Sequence, residues 1–420
     1  MKTRALFALA VVLITLVLSI GHLYRTDSLG TLMPLSRLSY TINQYRPPDI
    51  SDAENLHLSA EQCIDRYPDL YYEADRAREY FKGGISEEMV DAAEKDEANA
   101  RVAIIDNKLY VKFFQGGYHS RPQAAIASLY RTLLTSPEPL PDVDFVIQTS
   151  DAGGGPYPHF VLDRKADQPH FWLIPDFGFF SWPEPGVGAY TEVRDKAREY
   201  EERLGLSMNG STVVSSSWDA KTDKLMWRGV PMVEVRNELV RASENQPWSD
   251  VKVIDWGKVN DENEKDNGGD LKTPEEHCQY QFLAHTEGWA YSGRLKYLLQ
   301  CRSVVVTHDL EYIQHFHHLL ISDPQNPKQN IIEVKRPLED HLPGVMEQLT
   351  DPANAEWMQR VADNSWNDLR EGYISPAANE CYFRYALRAY ASVQTFRPKI
   401  GNGVPYESFL LTGTTHWLPH

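Results

Sequence analysis

The run Ser303-Val304-Val305-Val306 is apolar and β-branched at almost every position, and this pattern constrains the fold most. A strand with one wet face alternates polar and apolar residues. A strand that is apolar throughout is buried on both faces, which requires a parallel sheet with helices on each side. Nearby stretches extend the pattern. Lys224–Trp227 and Val251–Trp256 read as strands around a helix at Val233–Ala242. Glu275–Leu283, Gly293–Cys301, Tyr312–Leu320, Leu338–Leu349, Ala353–Arg370 and Ala377–Ala391 read as helices from their apolar spacing. Strands interleaved with helices in this way predict an α/β fold.

The first half is less regular. Leu70, Ala74, Ala77 and Phe81 predict a helix over Glu61–Phe81, and a second runs from Ser86 to about Ala100. Val102–Ile105 and Leu109–Phe114 flank Asp106-Asn107 like a hairpin. Gln123–Leu134 reads as a helix, Val143–Gln148 as a buried strand and Phe171–Ile174 as another. Pro175 to Tyr190, dense in Trp, Phe, Pro and Gly, reads as an irregular loop, followed by a charged helix at Thr191–Leu204 that Gly205 stops. Asp261–Lys272 reads as a surface insertion. There is no internal repeat.

Lys2 and Arg4 precede an apolar run from Ala5 to Ile20, extendable through Leu23. Positive charge before a run approaching the roughly twenty residues of a bilayer span predicts a signal-anchor with its start in the cytosol. Ser19-Ile20-Gly21 leaves a cleaved signal peptide as the alternative. Either way the rest of the chain is lumenal or extracellular. There Cys63, Cys278, Cys301 and Cys381 are disulfide candidates with three possible pairings. Asn209-Gly210-Ser211 is an N-glycosylation sequon. With 420 residues, at about 150 per domain, the expected plan is an anchor or signal at 1–24, a stem at 25–60, domains at 61–210 and 211–400, and a tail at 401–420. The net charge of −17 would repel a phosphate polymer, which excludes a chain-wide nucleic-acid interface.

Three positions could carry chemistry. Asp151 follows a buried strand, where open α/β sheets place their ligand crevice, and Gly153-Gly154-Gly155 clears side chains beside it. The same pattern also serves a turn-forming aspartate. Arg228 ends a strand before Gly229, a placement that suits a planar guanidinium binding phosphate, and equally an exposed strand-end arginine. Arg294 follows Gly288, Ser292 and Gly293 at the start of a predicted helix, where N–H groups would converge on an anion. Other signals fail. Asp142-Val143-Asp144 has the DxD form that holds a metal and a nucleotide diphosphate, but it precedes its strand instead of ending one. Of His308, His315, His317 and His318 only His315 and His318 share a helical face, and no zinc spacing is present. There is no dinucleotide fingerprint, P-loop or nucleophile elbow.

The stretch TEGWAYSGRLKYLLQCRSVVV, Thr286 to Val306, resembles the signature of the capsule-associated-protein and protein O-glucosyltransferase family (glycosyltransferase family 90), especially its fungal branch. Asp144–Asp151, LIPDFGFFSWPEP at Leu173–Pro185, KLMWRG at Lys224–Gly229, NPKQNIIEV, ADNS and ISPAANECYFR at Ile374–Arg384 agree with it in order. The resemblance implies a GT-B fold, two Rossmann-like domains facing across a cleft, with the acceptor side at 61–210 and the nucleotide-sugar side at 211–400. It implies inverting, metal-independent transfer from UDP-xylose or UDP-glucose to a glycan or glycoprotein, without a cofactor. It places the enzyme in the secretory pathway, which together with the expected signal-anchor predicts a single-pass type II protein of the Golgi or endoplasmic reticulum membrane. Asp151 matches the family's general base, and Arg228 and Arg294 match its diphosphate arginines. Gly229, Glu287, Gly288, Ser292 and Gly293 fall in the nucleotide-facing motifs, and Trp182 is an aromatic candidate for packing on sugar or uracil. Cys278 and Cys301 match a family disulfide, and Cys63 with Cys381 a second. The chain departs from the family pattern at Ser150 and Ala152-Gly153 and at Gln314, where a Glu is usual. A glycoside hydrolase and a non-catalytic lumenal carbohydrate-binding protein are the rival readings.

Overall fold

The structure, a computed structural model, describes residues 52–117, 120–151, 153–209, 212–259 and 270–415. The expected anchor lies outside these residues, as does most of the expected stem. Among the described residues no helix is long and apolar enough to cross a membrane. Residues 52–60, expected as the end of the stem, are instead part of the folded body. Ala53 and Leu58 are buried, and Arg384 donates to the carbonyls of Leu56 and Leu58.

The chain opens with helices α1 (Ala60–Arg66), α2 (Tyr72–Tyr80) and α3 (Glu87–Glu97). The single helix predicted over 61–81 is split because Tyr67 precedes Pro68, and a residue before proline avoids helical geometry. Strands β1 (Ala100–Ile105) and β2 (Lys108–Phe114) form the expected hairpin. Asp106 and Asn107 both take positive φ, 50° and 57°, as a two-residue turn between right-twisted strands demands. Helix α4 (Arg121–Thr135) leads to β3 (Val143–Ile147), then β4 (His159–Val161) and β5 (Trp172–Leu173). This first sheet is mixed: β2, β1 and β3 are antiparallel neighbours, while β3, β4 and β5 run parallel.

The loop after β5 passes through Phe177, packed in the core of the first sheet, and Phe179, packed in a second core. Helix α5 (Tyr190–Arg203) contributes Tyr190, Val193 and Ala197 to that second core. Five strands follow: β6 (Thr222–Gly229), β7 (Ser249–Val253), β8 (Tyr280–His285), β9 (Val304–His308) and β10 (Ile332–Val334). They make one wholly parallel sheet in the order β7-β6-β8-β9-β10. Alternate residues leave on opposite faces, and both faces are covered. Leu225, Trp227, Phe282, Ala284, Val304 and Val306 meet helices α6 (Glu234–Ser243), α7 (Leu338–Leu349) and α8 (Ala355–Asn364). Met226, Leu283 and Val305 meet Leu295, Leu298 and α5. This double burial is why these strands carry apolar residues on both sides.

Helix α9 (Pro376–Val393) returns to the first sheet, and β11 (Val404–Pro405) pairs with β2 before α10 (Tyr406–Thr412). The expected blocks 61–210 and 211–400 therefore need correcting at both ends: α5 packs with the second sheet and α9 with the first. Two helix expectations also change. Glu275–Leu283 is a short 3-10 turn at Glu275–Gln279 followed by strand β8, because parallel pairing with β6 and β9 overrides the local pattern. Tyr312–Leu320 is irregular: Ile313 bridges Arg164, a turn follows at His315-Phe316, and His317–Leu319 forms a single 3-10 turn. Two disulfides join distant segments, Cys63 to Cys381 between α1 and α9, and Cys278 to Cys301 across the start of β8.

Candidate active site

Numbered in chain order, the parallel sheet has strand order 2-1-3-4-5. Its connections diverge between β6 and β8, and a ligand crevice lies above the carboxyl ends of strands at such a point. β6 ends at Gly229, and β8 ends at His285, just before Thr286-Glu287-Gly288.

Two arginines occupy this place. Arg294, at the start of the one-turn helix Leu295–Leu298, lies with its guanidinium carbon 5.5 Å from the Trp227 ring centre. It has no hydrogen bond or ion pair among the described residues. Among the described residues Arg236, on α6, donates to the carbonyls of Glu287 and Val230 and to no carboxylate. Burial, with Arg236 nearby, pulls the Arg294 guanidinium down to about 9, and burial also lowers Arg236. Two desolvated cations that lack carboxylate partners among the described residues make a site that an anion would complete. Glycines bring them close to the backbone. A Cβ on Gly229 would sit 3.2 Å from Arg294 Nη2 and 2.6 Å from Trp227 Cζ2, and one on Gly288 3.3 Å from Arg236 Nη2. The sequence singled out Arg294 and missed Arg236, which reads as an ordinary polar position on a helix.

Arg228 is placed differently. Its Nε donates to Asp270 O, its Nη1 to the carbonyls of Trp227 and Asp250, and its Nη2 to the carboxylates of Asp250 and Asp270 at 2.9 Å each. All five N–H donors are taken, and none is left for a phosphate. Arg228 ties β6 to β7 and to the segment at Asp270.

On the first sheet, Asp151 lies in the turn after β3 with its carboxylate 43 % exposed and 2.8 Å from Arg121 Nη1. Arg121 also stacks over Phe177, 5.0 Å from the ring centre. Trp182 meets Phe177 edge-on at 5.3 Å, and a Cβ on Gly293 would lie 3.3 Å from Trp182 Cζ3. A continuous chain of contacts therefore runs from Asp151 through Arg121, Phe177 and Trp182 to Gly293, beside Ser292 and Arg294. The aromatic loop is the bridge between the two sheets.

Beneath this bridge Asp176 accepts from Lys296 Nζ at 2.8 Å and Gln314 Nε2 at 2.9 Å. The neutral amide at Gln314 thus serves a buried carboxylate, where a Glu would set two like charges together. Glu287 is buried and accepts from the backbone N–H groups of Glu311 and Tyr312, while its own N–H donates to His308 Nε2. Burial raises its carboxyl to about 7. Sequence reading also missed Asp163, just past β4. Burial and the negative neighbours Asp151, Glu287 and Asp176 raise its carboxyl to about 8. Asp144 of the DxD motif is buried against Arg101 and Lys112 and serves the core. Among the described residues the metal-ligand types gather once, at Glu201, Cys278 and Cys301, and those two cysteines are bonded to each other. Asn209 ends a short strand, and its sequon continues into residues 210–211, outside the described ones.

Residues 59–406 match the family model described as glycosyl transferase family 90. An O-glucosyltransferase rumi homolog from Aedes aegypti is 24 % identical over 338 residues, covering 76 % of this chain and 77 % of that protein. The O-glucosyltransferase rumi of Drosophila pseudoobscura pseudoobscura is 22 % identical over 382 residues, covering 86 % and 84 %. A human protein O-glucosyltransferase 3 is 26 % identical over 204 residues, covering 47 % of this chain and 37 % of that one.

Proposed function

The chain belongs to glycosyl transferase family 90, and on that premise we propose that it is an inverting enzyme moving glucose or xylose from a UDP-sugar to a hydroxyl of a glycan or glycoprotein. The observation that carries this reading is the pair Arg294, half-buried, and Arg236, buried, which have no acidic partner among the described residues, lie at the divergence point of a parallel sheet and are linked by contacts to Asp151. The two sheets and the bridging aromatic loop support a GT-B arrangement, with the acceptor on the first sheet and the nucleotide on the second. The two disulfides suit an oxidising lumen, and the N-terminal apolar run suits a signal-anchor in the secretory pathway.

In the proposed step Asp151 takes the proton of the acceptor hydroxyl as its oxygen bonds to the anomeric carbon. The bond from that carbon to the diphosphate oxygen breaks, and its electron pair leaves on UDP. Attack opposite the leaving group inverts the centre. Arg294 and Arg236 stabilise the charge growing on the diphosphate, the part a divalent ion plays elsewhere, so transfer proceeds without metal. Ser292 and Gly293 line the phosphate approach, Glu287 and Gly288 hold its floor, and Trp182 packs on the sugar or uracil.

The test is a UDP-sugar panel on the purified protein, with and without EDTA, alongside Asp151→Asn. We expect transfer from UDP-glucose or UDP-xylose that survives EDTA, and an Asn variant that binds UDP but transfers nothing. An active Asn variant would remove Asp151 from the role of base.

A further inference from the structure

Trp289 is 70 % exposed, although it lies two residues from buried Tyr291 and within the segment that carries Ser292 and Arg294. Its backbone is nevertheless held. The Trp289 carbonyl accepts from Tyr312 Oη at 3.0 Å, and the N–H of Gly288 donates to Ala290 O across it at 2.9 Å. The segment carrying Tyr312 is fixed in turn, by Glu287 accepting from its N–H and by Ile313 bridging Arg164. Lys165 Nζ sits 4.8 Å from the Tyr312 ring centre and 3.4 Å from Glu311 Oε2. An indole is thus presented to solvent on a fixed backbone, and the phenol that holds this backbone is capped by Lys165, itself paired with Glu311.

We propose that Trp289 is an acceptor-binding platform that takes the apolar face of a pyranose ring, so that the acceptor is a glycan. This rests on the transferase reading above and names its substrate class. A pyranose has C–H groups on one face and hydroxyls around its edge. The first suits the indole face, and the second suits the polar groups of the neighbouring Tyr312 segment, Lys165 and Glu311. The rival occupants fit less well. A specific protein interface covers on the order of 800 Å² per partner with an apolar centre, whereas one aromatic residue buries roughly 150–250 Å². Polar side chains, Lys165 and Glu311, gather at Tyr312, whose hydroxyl holds the Trp289 carbonyl. A membrane surface would ask for added basic residues, and the chain carries −17.

The experiment measures transfer from the UDP-sugar to a panel of methyl glycopyranosides and neutral oligosaccharides, with a serine-containing peptide as comparison, for the native protein, Trp289→Ala and Trp289→Phe. Trp289→Ala is expected to raise the acceptor KM at least tenfold, leaving kcat at saturating acceptor and UDP affinity unchanged, and Trp289→Phe to recover most of the loss. An acceptor KM unchanged in Trp289→Ala, or transfer to the peptide alone, overturns the proposal. Calorimetric titration of the same glycans without nucleotide tests the platform independently. Binding lost in Trp289→Ala supports it, and equal binding overturns it. Failure of the native protein to bind UDP would instead sink the transferase reading.

Discussion

Arg121 Nη1 lies 2.8 Å from Asp151 Oδ1, so the first residue of α4 holds the carboxylate in the turn after β3. The arginine is held by its stacking on Phe177, which connects the proposed base to the aromatic loop and, through Trp182, to the nucleotide side. Arg121 touches Asp151 and not the reacting atoms, so it is a positioning residue.

Replacing Arg121 by Met keeps apolar bulk over Phe177 and releases the carboxylate. A misplacement of about 1 Å at a reacting group costs roughly 100-fold in rate. Arg121→Met is therefore expected to lower kcat by about that factor while UDP affinity, read by calorimetry, stays unchanged. A variant with native turnover would show that Asp151 needs no such anchor.

The arginines separate by partner. Arg294→Ala and Arg236→Ala each remove a cation that has no carboxylate partner among the described residues. Each should weaken UDP binding by roughly 10- to 100-fold, the value of a charge-assisted hydrogen bond of about 1.5–3 kcal/mol, with little change in melting temperature. Arg228→Ala takes the guanidinium from Asp250, which keeps Lys252 and the Tyr280 hydroxyl, and should destabilise the fold by about 2 kcal/mol. Denaturant unfolding of all three variants beside UDP titration checks the division. A stable Arg228→Ala protein that has lost UDP binding would return Arg228 to the phosphate site.

Glu287 predicts a pH dependence of stability. Its folded carboxyl titrates near 7 against an ordinary value of 4.5. Below about pH 4.5 it is protonated in folded and unfolded chains alike. Between there and 7 the folded form keeps a proton that the unfolded chain has released, so stability falls as pH rises. Above 7 the full cost, about 3 kcal/mol, is present. Glu287→Gln should therefore gain stability relative to the native protein across pH 4.5 to 7 in urea unfolding. Parallel curves for the two proteins would contradict the assignment.

Much of the second sheet was legible because its strands are apolar on both faces and its helices carry clear periodicity. Leu338–Leu349 is found at its expected bounds, and β6 and β9 lie where Lys224–Trp227 and Ser303–Val306 indicated. β8 was misread as helix since Tyr280–His285 is a strand only by virtue of its two neighbours. Asp151 and Arg294 stood out beside glycines at element ends. Arg236 and Asp163 did not, because what marks them is that no opposite charge among the described residues pairs with them in space.

Sequence by itself determined the α/β class, the turn at Asp106-Asn107 and the family motifs, since all of these depend on residues near one another in the chain. Tertiary structure alone decided which cations stay unpaired. Arg228 and Arg294 look alike as strand-end and helix-start arginines, yet Asp250 and Asp270 fill the fork of one, and no carboxylate among the described residues reaches the other. A charge is neutralised by whatever folding brings within a few ångströms, and Asp270 comes from 42 positions away to meet Arg228.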